Sequence, residues 1–423
     1  MAGWARGWRL AAAVAGAAVL LAVTTQATAS RTTADDAVLV ARGEVLWDPG
    51  GEPLSVESRD QERPRLVSDG ASGAIVVWED GREGAPGIYA QRVLSDGTAA
   101  WATNGVSLSG HSAVFLPMLA EDEAGGAIVV WEDRRDGNAD VYAQRVLPDG
   151  TAAWATGGIS VCAMAGEQYV TGIVPDGSGG AIGGWYDIAG MDSDIYAQRL
   201  SPDGTNAWAA GGVTICTAAG NQYGPYLASD GAGGALAAWR DYRGSDGDIY
   251  TQRVLSDGTV AWAADGVAVS TAAGLQGSPK AVSDGAGGAI VVWEDMRAGE
   301  YNVDLYAQRV LSDGTVAWTT DGVALTQARG DQWDAAIASD GAGGAIVAWQ
   351  DERTGQGLTY AQRVLSDGTV AWATDGVWVS TETAHGYTPD ILGDGAGGAR
   401  VVWRSYNVHA QRLRPDGTAR WTG

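Results

Sequence analysis

The sequence predicts an all-β protein, a single seven-bladed β-propeller made of four-stranded antiparallel blades. Three observations predict it: seven similar repeats, four strand-like stretches joined by tight-turn signals in each repeat, and apolar residues on both faces of the predicted sheets. A chain of 423 residues would ordinarily hold two or three domains. However, 63 glycines and 19 tryptophans beside a single phenylalanine indicate one short unit that is copied many times.

Two series of tryptophans mark the repeat. The first series ends an Ala-Ile-Val-Val-Trp-like run, recurs at spacings of 53, 54, 54, 54, 56 and 54 residues, and comprises Trp78, Trp131, Trp185, Trp239, Trp293, Trp349 and Trp403. The second series closes an Asp-Gly-Thr-x-x-Trp unit or its equivalent and comprises Trp47, Trp101, Trp154, Trp208, Trp262, Trp318, Trp372 and Trp421. Self-similarity at a fixed period predicts a repeat architecture.

One unit, residues 266–325, illustrates the predicted strands. They cover 278–282, 289–293, 305–311 and a last strand from 315 to 325 that Asp-Gly interrupts, and Ser-Asp-Gly turns separate them. The second strand is apolar throughout, as expected of a strand covered on both faces. Such sheets must pack against copies of themselves, and closing the stack into a ring gives a propeller. An open solenoid and an eight-bladed ring are the alternatives.

The N-terminus predicts export. Arg6 and Arg9 precede an apolar run, and Ala27-Thr28-Ala29 offers a small-residue cleavage site. We therefore expect a signal peptide over 1–29, a linker over 30–42 and the propeller over 43–423, with residues 43–56 supplying a strand that completes the final blade. The protein is expected to be secreted, either extracellular or in the cell envelope. An uncleaved membrane anchor is the alternative for the first segment.

Charge and cysteine content limit the partners. A formal net charge of −24 would repel nucleic acid and anionic lipid, so we expect neither a nucleic-acid partner nor membrane insertion. We expect a monomer. Cys162 and Cys216 occupy matching places in neighbouring repeats. The sequence leaves open whether they form a disulfide or remain two buried thiols.

The repeat resembles a known group of proteins. The pattern Ser-Asp-Gly-x-Gly-Gly-Ala-Ile-Val-Val-Trp-x-Asp-x-Arg, followed by Ile-Tyr-Ala-Gln-Arg-Val-Leu-Ser-Asp-Gly-Thr, is similar to repeats of exported bacterial β-propeller proteins of unassigned function. The resemblance covers about residues 43–421 and implies a fold without implying an activity. Two motifs are distantly similar to the tryptophan-docking motif of quinoprotein propellers and to sialidase Asp boxes, which are structural in those families.

No residue pattern predicts an enzyme. Carboxylate pairs such as Glu79-Asp80, Glu132-Asp133 and Glu294-Asp295 recur with the blades, whereas catalytic groups normally take different roles at one asymmetric site. We therefore expect no catalytic residues and no organic cofactor. Calcium is the one metal to consider, because acidic and amide side chains alternate at a few loop positions, namely Asp136, Asn138, Asp140, Asp246 and Asp248.

One face of the predicted ring varies between repeats. The Ser-Asp-Gly turns are nearly constant, whereas the second-to-third loops and the interblade segments differ in length and residue type, which is typical of a binding surface. Amide and aromatic residues recur there, and we take as candidate ligand-binding residues Gln168, Tyr169, Gln222, Tyr223, Gln276, Gln332, Trp333, His385 and Tyr387. They could instead seat the first strand of each blade.

The resulting expectation is a secreted, non-catalytic propeller that binds a glycan, peptide or protein on its variable face at the channel mouth. A hydrolase or lyase acting on polysaccharide is one alternative, and it requires an asymmetric acidic site at that mouth. A structural envelope protein without a specific ligand is the other.

Overall fold

The computed structural model describes residues 52–190, 192–299, 302–380, 386–405 and 407–420. In these ranges 27 strands form seven antiparallel sheets, each in simple chain order, six with four strands and the last with three. This confirms the seven-bladed propeller. The predicted signal peptide and linker and residues 43–51 of the predicted closing strand lie outside the described ranges. Within those ranges, no helix is both long and apolar enough to span a membrane.

The blades follow one another along the chain. Blade 1 contains β1 (Gln61–Ser68), β2 (Ala74–Asp80), β3 (Gly87–Val93) and β4 (Val106–Ser107), and blade 2 contains β5 (Val114–Glu121), β6 (Ala127–Asp133), β7 (Asp140–Val146) and β8 (Ile159–Cys162). Blade 3 contains β9 (Glu167–Pro175), β10 (Ala181–Ile188), β11 (Asp194–Leu200) and β12 (Val213–Cys216), and blade 4 contains β13 (Gln222–Ser229), β14 (Ala235–Asp241), β15 (Asp248–Val254) and β16 (Val267–Ser270). Blade 5 contains β17 (Gln276–Ser283), β18 (Ala289–Asp295), β19 (Asp304–Val310) and β20 (Val323–Thr326), and blade 6 contains β21 (Gln332–Ser339), β22 (Ala345–Asp351), β23 (Leu358–Val364) and β24 (Val377–Trp378). Blade 7 contains β25 (Tyr387–Gly393), β26 (Ala399–Arg404) and β27 (Val408–Leu413).

The Ser-Asp-Gly turn between the first two strands is held by its own aspartate. Asp69 Oδ1 accepts hydrogen bonds from the backbone N–H groups of Ala71 and Gly73 at 2.8 and 2.7 Å. A Cβ at Gly73 would lie only 2.4 Å from the carbonyl oxygen of Val93, so glycine is required there. Asp69 Oδ2 in turn accepts from Arg92 Nε at 2.9 Å. The glycine-rich motif is therefore structural.

The second tryptophan series joins each blade to the next. Trp101 Nε1 donates to the carbonyl oxygen of Pro148 at 3.0 Å, and Arg92 Nη1 donates to the same oxygen at 3.2 Å. The equivalent tryptophan bonds at the other seams are Trp154 to Pro202, Trp208 to Ser256, Trp262 to Ser312, Trp318 to Ser366 and Trp372 to Pro415. One face of the ring is thus fastened by the same contact at successive seams.

The core lies between the blades. The second strands are almost completely buried, and each hydrophobic cluster draws side chains from two neighbouring sheets. In one cluster, for example, Ile182 of blade 3 packs with Leu227 and Trp239 of blade 4. Burying both faces of a sheet in this way is what stabilises a ring of blades.

The first strands surround the axis. Those of successive blades contact one another from β1 through to β25. Lys280 on β17 interacts electrostatically with Arg65 on β1 and with Asp390 on β25, so first strands from blades 1, 5 and 7 face a common centre. Burial, as the main cause, lowers the pKa of Lys280, and Nζ lies 4.6 Å from the centre of the Tyr226 ring.

The chain entering blade 1 makes a contact that is repeated elsewhere at blade boundaries. The N–H of Val56 donates to Asn104 Oδ1 at 3.0 Å, as the N–H of Thr217, which follows the last strand of blade 3, donates to Asp265 Oδ1 at 2.9 Å. Residue 56 therefore occupies the place that follows a last strand. The blade-closing role of residues 43–56 stays a prediction.

Candidate active site at the channel mouth

The residue after each tryptophan of the first series differs from blade to blade. We call this the mouth position, because it lies near the end of the second strand on the variable face, where Glu79 and Glu294 reach the first strand of the next blade. It holds, in blade order, Glu79, Glu132, Tyr186, Arg240, Glu294, Gln350 and Arg404. The mouth is therefore asymmetric in charge, although the blades beneath it are alike.

Two of the three glutamates at the mouth position are fully partnered. Glu79 Oε1 accepts from the N–H of Leu116 at 2.7 Å, and its Oε2 accepts from Arg63 Nη1 at 2.7 Å. Glu294 Oε1 accepts from the N–H of Asp334 at 3.0 Å, and its Oε2 accepts from Ser278 Oγ at 2.9 Å. In both cases the backbone donor belongs to the first strand of the following blade.

Those backbone donors depend on a left-handed residue at a bulge. Leu116 and Asp334 have φ of 54° and 54°, in a region that residues other than glycine seldom adopt. The same position holds Arg63, Ser278 and Thr388 with φ of 52°, 50° and 45°, and Gly224 with φ of 59°. A residue with left-handed φ thus stands at six of the seven first strands, and in blades 2 and 6 its N–H bonds a glutamate of the preceding blade.

Blade 3 lacks this feature. Val170 occupies the corresponding position, is absent from the residues with positive φ in the described chain, and pairs directly with Trp185. A β-branched side chain strongly disfavours positive φ. The unpaired residue in this bulge is Thr171, whose Oγ1 donates to the carbonyl oxygen of Gly184 at 3.2 Å. No N–H is therefore presented to the glutamate of blade 2.

Glu132, that glutamate, is consequently buried and incompletely partnered. It is 4% exposed, and within the described ranges its Oε1 has no hydrogen-bond partner. Burial, which disfavours the charged form, raises the pKa of Glu132 to about 7; Arg134 opposes the shift, and the like charges of Glu79 and Glu167 add to it. A carboxyl group that titrates near neutrality can both donate and accept a proton at physiological pH.

Charged groups flank Glu132 on both sides. Arg134 Nη1 lies 2.9 Å from Glu167 Oε2, while Arg63 and Glu79 form the ion pair of blade 1. Two carboxyl groups in this area thus occupy different environments, because Glu79 is held by an arginine and a backbone N–H whereas Glu132 is not. Such divergence is how proteins assign acid and base roles to chemically identical groups.

A row of four tyrosines adjoins Glu132. Tyr169 stacks on Tyr186 with ring centres 5.1 Å apart, Tyr186 meets Tyr223 edge-on at 5.9 Å, and Tyr223 meets Tyr242 edge-on at 6.0 Å. Burial, followed by the charge of Glu132, raises the pKa of Tyr186 to about 12. This tyrosine row, which belongs to blades 3 and 4, supplies an aromatic surface beside the carboxyl group.

The predicted ligand-binding glutamines lie inside the blades. All four are 0% exposed, and each side-chain nitrogen donates to backbone carbonyl oxygens of the preceding segment, for example Gln222 to Ala218 and Gly220 at 3.1 and 2.9 Å. They seat the first strands, which corrects the expectation that they contact a ligand; the residues concerned are Gln168, Gln222, Gln276 and Gln332.

The predicted aromatic residues are distributed differently. Tyr169 and Tyr223 belong to the tyrosine row, where both are partly exposed. Trp333 is also partly exposed, with a buried Nε1 that has no partner among the described residues, and it pairs with Gln350 of the mouth position. Tyr387 begins β25, and His385 lies outside the described ranges.

The candidate calcium ligands and the two cysteines have defined surroundings in the structure. In the described part of the chain, no group of three or more His, Cys, Asp or Glu side chains is placed to hold a metal ion. Asn138 Nδ2 donates to Asp140 Oδ1 at 2.7 Å, and Asp246 Oδ2 accepts from the N–H of Gly274 at 3.4 Å. Calcium at these loops stays a prediction. Cys162 and Cys216 are separate buried thiols.

Comparison with known proteins places the fold. No family model and no curated protein matches the sequence. Among solved structures, the chain is similar to an ulvan lyase of polysaccharide lyase family 25, with 9% identity, a TM-score of 0.51, and coverage of 87% of this chain and 94% of that one. It is also similar to a puromycin hydrolase, with 16% identity, a TM-score of 0.48, and coverage of 88% of this chain but 55% of that one, so it spans about half of that enzyme. An α-L-arabinanase from Penicillium chrysogenum has 14% identity, a TM-score of 0.38, and coverage of 71% and 93%.

These comparisons correct one expectation. The prediction that the protein is not an enzyme no longer stands, because the ulvan lyase whose fold it shares is an enzyme, although a likeness at 9% identity shows the fold alone. The sequence argument dismissed Glu132-Asp133 as one of several repeated pairs. It overlooked that the residue after the tryptophan varies, and that the proline found at the bulge of blades 1, 2, 4, 5 and 7 is replaced by Thr171 in blade 3.

Proposed function

We propose that the protein is an exported enzyme, a hydrolase or lyase that acts on polysaccharide at the channel mouth, with Glu132 as its acid–base residue. The observation that carries the proposal is the single buried glutamate at the mouth position whose Oε1 has no hydrogen-bond partner among the described residues and whose pKa is raised to about 7. Sister glutamates at the same position are bonded to backbone N–H groups and cannot take this role without losing them.

In a hydrolase, protonated Glu132 would donate its proton to the glycosidic oxygen as the bond breaks. Glu79, which is ion-paired with Arg63 at 2.7 Å, would stabilise the positive charge that develops on the sugar ring, and water would then add to that ring. In a lyase, ionised Glu132 would instead remove the proton next to a uronic-acid carboxylate that Arg134 binds. A C=C bond would then form as the C–O bond to the leaving sugar breaks, and the leaving oxygen would take a proton from protonated Glu132 or from water.

The tyrosine row suits a sugar chain. Sugar rings present C–H faces that pack on aromatic rings, while their hydroxyl groups bond polar side chains at the edge. Tyr169, Tyr186 and Tyr223 follow one another within 5.9 Å steps beside Glu132. In this proposal the substrate binds on the face that was predicted to vary.

The test is a screen of plant and algal polysaccharides with the purified mature protein and E132Q. Release of reducing ends detects hydrolysis, and the ultraviolet absorbance of unsaturated uronic ends detects elimination. We expect E132Q to lose at least about a hundredfold in kcat, since general acid–base groups contribute on the order of 10²- to 10⁴-fold. The control is E294Q, the same change at the equivalent position of blade 5, which should retain activity.

The pH profile gives a second readout. If hydrolysis needs protonated Glu132, activity falls as the pH rises through about 7, the pKa to which burial raises this group. If elimination needs ionised Glu132, activity instead rises as the pH rises through about 7. Equal activity of E132Q and wild type on every degraded substrate would refute the assignment.

A further inference from the structure

Five blades contain an arginine clamp that blade 3 lacks. In blade 4, Arg243 Nε donates to Asp241 Oδ1 at 2.9 Å and Nη2 donates to Asp241 Oδ2 at 2.7 Å. Nη2 also donates to the carbonyl oxygen of Asp265 at 2.7 Å, and the guanidinium carbon lies 3.8 Å from the centre of the Tyr250 ring. The other clamps are Asp80 with Arg82, Asp133 with Arg135, Asp295 with Arg297 and Asp351 with Arg353.

Blade 3 keeps the partners of this clamp but not the arginine. The segments from Trp185 to Tyr196 and from Trp239 to Tyr250 have equal length, so Ala189 stands where blade 4 has Arg243. Asp187 matches the clamp aspartate, and Tyr196 stacks on Trp185 as Tyr250 stacks on Trp239. Cys162 matches Cys216, whose Sγ lies 3.3 Å from Arg243 Nη2.

Polar atoms that the arginine would satisfy are left without partners. Asp187 is 3% exposed, and neither its Oδ1 nor Trp185 Nε1 has a hydrogen-bond partner in the described residues. In blade 4 the corresponding Trp239 Nε1 donates to Asp241 Oδ2 at 2.8 Å, so the missing cation leaves the whole local network incomplete. Burial is the main cause that raises the pKa of Asp187, as expected for a carboxylate without a cation.

The outer edge of this place is exposed to solvent, whereas Asp187 Oδ1 at its inner end is buried. Ala189 is exposed, and the clamp arginines of the sister blades keep 16 to 27% of their side chains accessible. Met164, which replaces the smaller Ala218 of blade 4, lies against Gly211 beside this place. Its flexible thioether must move to admit a guanidinium group.

We propose that blade 3 binds a guanidinium group from outside the chain, seated between the Asp187 carboxylate, the carbonyl oxygen of Gly211 and the Tyr196 ring. The ligand class is an arginine side chain of a peptide or a small free guanidinium compound. Bidentate pairing with a carboxylate and stacking on an aromatic ring both favour guanidinium over ammonium. The site is separate from the acid–base function of Glu132 and does not depend on it.

The probes are methylguanidinium and Nα-acetyl-arginine amide, with Nα-acetyl-lysine amide as the ammonium control at matched ionic strength. NMR titration of backbone amides near 187–189 measures binding. We expect a Kd on the order of millimolar for so small a ligand. Tighter binding of the arginine amide than of methylguanidinium would indicate a peptide side chain as the natural occupant, and equal binding would indicate a free guanidinium compound.

Three variants test the geometry. A189R should supply the missing side chain and weaken binding of both guanidinium probes at least about tenfold, whereas M164A should strengthen it. R243A should create a second site of the same kind in blade 4. Binding to wild type no tighter than to A189R, or equal binding of the lysine amide, would overturn the proposal. A189R adds side-chain contacts without removing any, so its melting temperature shows whether it has folded.

Discussion

Replacing Glu132 by glutamine should make the protein more stable than wild type at alkaline pH. The folded pKa of about 7 exceeds the ordinary 4.5, so wild type binds this proton more tightly when folded. That contribution is fully present below pH 4.5 and is lost as the pH rises through about 7. At about 1.4 kcal/mol per pKa unit, the difference between the folded and ordinary pKa values corresponds to about 3 kcal/mol of folding stability. About 2.5 kcal/mol of this stability is lost between pH 5 and pH 9.

The measurement is urea unfolding of wild type and E132Q at pH 5, 6, 7, 8 and 9. The glutamine does not titrate, so the difference in free energy of unfolding should move in favour of E132Q by about 2.5 kcal/mol across this range. E79Q is the matched control, because it removes a carboxylate bound by Arg63 and by the N–H of Leu116. We expect E79Q to be less stable than wild type at pH 8 by about 1–3 kcal/mol. Parallel curves for wild type and E132Q would show that Glu132 is not buried without a partner, and the acid–base proposal would lose its basis.

Three further changes test the contacts that hold the blades together beneath the candidate site. W208F removes the Nε1 bond to the carbonyl oxygen of Ser256 at 3.1 Å across a seam and should lower the free energy of unfolding by about 1 kcal/mol. The control W378F removes the bond of an exposed indole to Ser380 Oγ at 2.7 Å and should cost under about 0.5 kcal/mol. Equal losses in urea unfolding would argue against the interblade bond. G212A places a Cβ 2.7 Å from the Trp185 ring at φ of 89° and should lower the free energy of unfolding by about 2–4 kcal/mol. The control G137A, at φ of 104° with no atom within 4 Å, should lower it by about 1 kcal/mol. Similar melting temperatures for the two variants would contradict the close packing of Gly212 against Trp185. Deleting residues 30–51 should lower the melting temperature if these residues complete the last blade, and an unchanged melting temperature would refute that role.

The architecture could be predicted because its causes are local and repeated. Asp69 and Gly73 encode a turn through two backbone hydrogen bonds, and the same residues recur at the same spacing in the other blades. A tryptophan and an arginine at fixed positions then bond the next blade. Sequence alone therefore contained the turns, the strand order and the seams.

The candidate site could not be predicted in the same way, because it arises where one repeat fails to complete a contact that others make. Glu132 and Glu294 both lie in an Ile-Val-Val-Trp-Glu-Asp run, but only Glu294 accepts hydrogen bonds from an N–H of the next blade and from Ser278 Oγ. That depends on the backbone at Val170 compared with Asp334, about 40 residues away along the chain in each case. The four glutamines do not act as ligand contacts for a related reason. They recur at the same place in successive blades because each bonds the backbone in the same way.

The tryptophan bonds across the seams have a consequence for how such a chain can diversify. They fasten the blades along one rim with chemistry that does not involve the opposite rim. Substitutions at the mouth position can therefore accumulate in individual blades while the propeller stays folded. In an engineered protein, one blade could be exchanged for another copy of the repeat, which would add or remove one mouth-position side chain. The position of the exchanged blade in the ring would then decide where the new side chain lies.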